Sequence, residues 1–117
     1  MMFKDSEACR VSRWSELFEP IIGDWEVLWV DLDDAWAGSC AVLVEKGGQY
    51  IFADWTWGSC EACDSFDELS ADGKAEEAER CVMRFKDRAH LDAWIEMMIE
   101  TYTVRGDELK AAVVGAP

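Results

Sequence analysis

The residues whose types and spacing could do chemistry crowd into positions 50–69, where an aromatic run ending Trp55-Thr56-Trp57 passes through Gly58-Ser59 into Cys60-Glu61-Ala62-Cys63-Asp64 and further carboxylates. Cys60 and Cys63 have the spacing of two ligands of a tetrahedral zinc, a site that needs two more ligands to close. Cys40, Cys81 and His90 are the candidates for those, and no second C-x-x-C or Cys/His pair exists in the chain. The same spacing would suit a redox dithiol if the pair opened a helix, because a helix N-terminus lowers a thiol pKa. Glu61, Asp64, Asp67 and Glu68 work against that, since neighbouring negative charge disfavours the thiolate, and no proline lies nearby. The preferred reading is two cysteines that pack beneath a sheet or form an incidental disulfide. A structural zinc or thiol role for Cys60 and Cys63 is the alternative, and no cofactor is otherwise expected.

Other catalytic signatures are missing. His90 is the only histidine, with no serine or cysteine motif to make a nucleophile–base pair. There is no G-x-S-x-G elbow, phosphate-cradling glycine loop or H-E-x-x-H helix. Asp31-x-Asp33-Asp34 begins like a calcium loop but lacks the glycine at its sixth position and the closing glutamate at its twelfth. The chain does not read as an enzyme.

Charge is more informative. Of 25 acids and 11 bases, net −14, residues 14–73 hold fourteen acids against Lys46 alone, whereas residues 74–117 hold nine acids and seven bases. A segment so anionic repels nucleic acid, attracts basic partners and destabilises its own fold by self-repulsion. Solubility alone requires much less charge. The candidate partner-binding set is therefore Asp24, Glu26, Asp31, Asp33, Asp34, Asp54, Glu61, Asp64, Asp67 and Glu68, together with Trp36, an aromatic in an acidic loop. An aromatic flanked by carboxylates can hold a cation, which makes an aromatic–acidic pocket for a cationic ligand a further alternative.

Periodicity supplies the elements that must position these groups. Ser6 is placed to cap a helix running to about Phe18, ended by Pro20 and Gly23. Asp24–Leu32, Ser39–Lys46 and Gln49–Trp57 read as strands of an antiparallel meander, with Gly47-Gly48 as a hairpin turn. Trp25, Val27 and Trp29 should share one face of the first strand, and Leu28, Val30 and Leu32 the other, so that its outer part is covered on both sides. Trp25, Trp29, Trp55 and Trp57 should stack on one sheet face, with Trp14 and Trp94 in the core. A short helix from Asp64 or Ser65 to Leu69 should be followed by a break at Asp72-Gly73. Ala75, Ala78 and Val82 mark a helix, and 82–85 is either its continuation or a fourth strand. Asp87 should cap a helix with the stripe Leu91, Trp94, Ile95, Met98 and Tyr102, ended at Gly106. The expected fold is α+β, a three- to four-stranded antiparallel sheet with helices packed on one face. It forms a single domain over 1–117, frayed at 1–5 and 107–117.

The 117 residues suffice for one core, no apolar run approaches the ~20 residues that span a bilayer, and the start has no signal-peptide pattern. Five cysteines, an odd number, fit free thiols in a reducing cytoplasm better than a disulfide framework.

Trp55-Thr56-Trp57-Gly58-Ser59-Cys60-Glu61-Ala62-Cys63-Asp64 resembles an aromatic-Gly-Ser-Cys-x-x-Cys-Asp pattern of small acidic phage and mobile-element proteins. Arg84-Phe85-Lys86-Asp87, leading into a helix with Leu91 and Trp94, is similar to their ends. In size, acidity and lack of catalytic motifs the chain also resembles anti-CRISPR proteins as a class, several of which block nucleic-acid channels by mimicking DNA. The resemblance implies an acidic inhibitor that binds a basic, nucleic-acid-handling protein such as a Cas effector. Its setting would be the cytoplasm, that of a host cell if the chain is phage-encoded.

Overall fold

The computed structural model describes residues 1–33, 38–57 and 69–114, with Trp57 as backbone only. Four antiparallel strands, β1 (Glu26–Asp33), β2 (Gly38–Lys46), β3 (Gln49–Trp57) and β4 (Val82–Phe85), lie in the order β1-β2-β3-β4. Gly47 and Gly48 turn β2 into β3 with φ of +59° and +82°, the doubly left-handed backbone that a two-residue hairpin needs and glycine supplies without strain.

The α+β class and the four-stranded antiparallel sheet stand as expected, but helices cover both faces of the sheet rather than one. On the first face, helix α1 (Ser12–Ile22) and helix α2 (Ala71–Arg80) bury Trp14, Phe18, Ile22 and Ala78 against Cys40, Val42, Val44, Ile51 and Ala53. On the second, helix α3 (Arg88–Thr101) and helix α4 (Thr103–Val114) bury Leu91, Trp94, Ile95, Leu109 and Val113 against Ala41, Leu43, Tyr50, Phe52 and Phe85. The reason is visible in β2, where Cys40 to Val44 are all buried, a continuous apolar run that only a doubly covered strand can use.

A bulge corrects the reading of β1. Its register against β2 shifts between Val27 and Trp29, so alternation fails there. Val27, Val30 and Leu32 pack on the α1 face, whereas Leu28 and Trp29 pack on the α3 face. Trp25 and Trp55 also belong to the α1 face, so the tryptophans do not stack together as expected. Trp29 instead stacks on Phe52 with ring centroids 6.0 Å apart, and Phe52 meets Trp94 in a tilted contact at 4.9 Å.

The N-terminal residues pack beside the sheet. Phe3 is fully buried, and Met2 bridges to Glu26 alongside β1. Ser6 does not cap α1: its hydroxyl donates back to the Phe3 carbonyl at 2.6 Å, a local bond that competes with helix capping. Residues 3–5 and 7–10 accordingly form 3₁₀ turns, and α1 starts only at Ser12 and runs through Pro20 to Ile22. Trp14 locks it to the sheet, its indole Nε1 donating to the Cys40 carbonyl at 2.9 Å. Asp72 and Gly73 do not break the chain, because Ser70 Oγ accepts from the Gly73 amide at 3.0 Å and starts α2. Asp87 caps α3 as expected, its Oδ1 accepting from the His90 amide at 2.8 Å. Tyr102 falls beyond α3 and is 64 % exposed.

Gly106 does not end the helical region; it lies inside α4, buried. A Cβ there would come within 2.6 Å of the Ile99 amide nitrogen and 2.7 Å of its Cα. The glycine is what lets α4 fold back along α3. Gly106, Leu109 and Val113 form the buried stripe of this helix.

Candidate functional site

The register of the sheet places Asp31 of β1 and Asp54 of β3 opposite the same β2 residue, Ala41. Strands two apart are separated by roughly 9–10 Å, and the small Ala41 side chain leaves the space between the carboxylates open. Arg105 from the first turns of α4 fills it. One guanidinium nitrogen lies 3.1 Å from Asp31 Oδ2, the other 3.4 Å from Asp54 Oδ2, and the group sits 5.6 Å from the centre of the Trp29 ring. All three side chains keep access to water, at 53 %, 37 % and 32 % exposure for Asp31, Asp54 and Arg105. Aromatic face and paired carboxylates thus make a guanidinium cradle, occupied in cis.

Asp33 continues the same edge strand, exposed, and makes no ion pair among the described residues. It is opposite Ser39, while Gly38 is opposite Trp57. Asp33, Gly38 and Trp57 therefore lie together at one end of the sheet, the acid end. The chain continues from these positions into Asp34 and Trp36 and into Cys60, Glu61, Cys63, Asp64, Asp67 and Glu68, which lie outside the described residues, as does all of the helix expected to end near Leu69 except that last residue.

Asp24 and Glu26 belong to the opposite end. Asp24 is bridged by Lys46, whose hydrogen bond holds its carboxyl below the ordinary aspartate value. Glu26 Oε1 lies 3.6 Å from the Met1 amino group. Nearby Glu45 Oε1 accepts from the Gly48 amide at 3.0 Å. Of the candidate acids, the fold joins Asp31 and Asp54, keeps Asp33 beside them and sets Asp24 and Glu26 apart.

Arg105 escaped the sequence reading because it stood at the expected end of the helical region, just before a tail, 107–117, expected to fray. The signal was the stripe Gly106, Leu109 and Val113, which gives the tail a buried helical face and so a fixed place for its arginine.

Cys40 and Cys81 are ill-suited to thiolate chemistry. Cys40 is wholly enclosed, and burial, then the Asp31, Asp54 and Glu7 charges, push its thiol up to about 12. Burial, followed by Glu77, raises the Cys81 thiol. His90, the other ligand considered, packs edge-on against Phe85 of the opposite core, 5.2 Å between ring centroids. Among the described residues no three His, Cys, Asp or Glu side chains are grouped to hold a metal ion, and no helix is long and apolar enough to cross a membrane.

No family model, curated protein or solved structure matches the chain.

Proposed function

We propose that the protein is an acidic binding protein, anti-CRISPR-like in character, whose acid end occupies the basic surface of a nucleic-acid-handling partner such as a Cas effector. Its carboxylates would stand where DNA phosphates otherwise lie. The observation that carries this reading is the charge map laid on the fold: residues 14–73 contain a single base, Lys46, and that base is engaged by Asp24 at the far end of the sheet. Among the described residues Asp33 has no cation of its own segment to neutralise it, and the acids that follow it in sequence share that segment with no other base. A surface evolved for phosphate is rich in Arg and Lys and is the natural complement.

The protein immobilised on a support and offered the heparin-binding fraction of a bacterial lysate should retain nucleic-acid-binding proteins at low salt. It should release them as salt rises, because screening weakens contacts between exposed charges. Retention indifferent to salt, or no greater than that of proteins which do not bind heparin, would contradict the reading.

A further inference from the structure

Three clefts between the described residues have carboxylates in their lining. The cleft between α1 and α2 is lined by Glu16 and Glu79 with Lys74, that between α3 and α4 by Asp92 and Glu96 with Arg88 and Lys110, and the one beside Arg105 by Asp31 and Glu108. At the hairpin end of the sheet a cleft of about 310 Å³ opens between the last turn of α1, the start of β3, the end of β4 and the first turn of α3. Among the described residues no carboxylate lines it; Arg84, Lys86 and His90 do, with Trp25, Tyr50 and Phe85 as aromatic walls. In a chain of 25 acids and one histidine, three nitrogen bases converging on one concavity is a local reversal of the protein's charge.

The three bases are not equivalent. Arg84 is held by both oxygens of Glu79, at 2.9 and 3.1 Å, which offsets its charge and fixes its position. Lys86 makes no ion pair among the described residues and stands exposed at the rim. His90 turns its ring edge to Phe85. Asp87, the nearest acid in sequence, points its carboxylate at the helix cap instead. The volume is at the low end of small-molecule sites, enough for one flat ring system. Aromatic walls favour a π-face, and a cation at the mouth selects a negative group.

From this we infer that the cleft is a binding site for a small aromatic anion, a flat apolar body bearing one carboxylate or phosphate, with Lys86 as the principal charge contact and Trp25 as a stacking wall. The site is separate from the acid end and does not depend on the partner proposed there.

Calorimetric titration of the full chain, with the Trp25 indole signal followed by nitrogen–proton NMR, tests it. Indole-3-acetate and phenyl phosphate are the probes, and whichever binds more tightly identifies the anionic group. Tryptamine, of the same ring but opposite charge, and inorganic phosphate, of the charge without the ring, should each bind at least about tenfold more weakly. Lys86→Gln should weaken the better anion about tenfold, while Lys110→Gln, outside this lining and in a separate cleft, should leave it unchanged. Both residues are exposed, so folding is not at stake. Equal binding of tryptamine and indole-3-acetate, an affinity unaltered by Lys86→Gln, or no perturbation of Trp25 by either anion would overturn the inference.

Discussion

The two ends of the sheet meet charge in opposite ways. At the hairpin end, acids are answered within a few ångströms: Asp24 by Lys46, Glu26 by the amino terminus, Glu45 by a backbone amide of the turn. The same end opens a cleft with bases and, among the described residues, no carboxylate in its lining. At the acid end two carboxylates share one arginine from a different helix, Asp33 has no ion pair among the described residues, and the sequence runs on into more acids. The net charge of −14 is therefore unevenly distributed. A charge total states how much self-repulsion a fold must carry; the register and the helix packing decide where it is relieved.

The largest way to break this contrast is to move α4. Gly106→Ala places a methyl against the backbone of Ile99, which cannot step aside as a side-chain tip could. Overpacking of that kind costs about 1–3 kcal/mol, beyond the roughly 1 kcal/mol that alanine returns in helix propensity. Urea unfolding should show a lower midpoint. Arg105 should lose contact with Asp31 and Asp54, and the hairpin-end cleft should be untouched. An unchanged midpoint would mean that α4 is not docked as described.

Arg105→Ala acts on the same end without moving the helix. Exposed ion pairs contribute about 0.2–1 kcal/mol each and an exposed cation–π contact about 0.5–1, so a loss of roughly 1–2 kcal/mol is expected, shrinking as salt is added. Asp31→Asn with Asp54→Asn in the Arg105→Ala background should recover part of it by removing the unanswered repulsion. A loss that is insensitive to salt and unrelieved by the two amides would point to packing of the arginine stem rather than its charge.

Cys40 gives the smallest effect, a pH dependence confined to alkaline solution. Its folded-state pKa is raised from 9.0 to about 12, first by burial and then by Asp31 and Asp54. The folded protein therefore holds this proton more tightly than the unfolded chain. The corresponding stability is complete below pH 9 and is lost as pH rises toward 12. Wild type should lose stability more steeply over that window than Cys40→Ala, whatever their difference at pH 7. Parallel curves would show that the thiol ionises in the native state.

Much of this was legible in the residues. Gly47-Gly48, the alternation in β3 and the apolar stripe of α3 each state one structure, because turn chemistry and periodicity agree there. Legibility failed where a residue had two physical uses. Gly106 reads as a helix stop but serves as the contact that admits α3; Ser6 reads as a forward cap but bonds backward to Phe3. The bulge at Leu28 leaves no mark on composition, yet it turns Trp29 toward α3 and so makes the aromatic wall of the Arg105 cradle. The acids were visible as a set, and the split of that set between two ends was not, because it depends on which strands are neighbours.

One measurement bears most directly on the proposed role. Heparin-binding partners captured at low salt should be compared on wild type, on a variant with Asp31, Asp33, Asp34, Asp64, Asp67 and Glu68 converted to their amides, and on Asp24→Asn/Glu26→Gln. Capture should collapse for the first variant and persist for the second, with folding of each confirmed by circular dichroism. Equal capture by all three proteins, or a loss confined to the Asp24/Glu26 variant, would contradict the assignment of binding to the acid end.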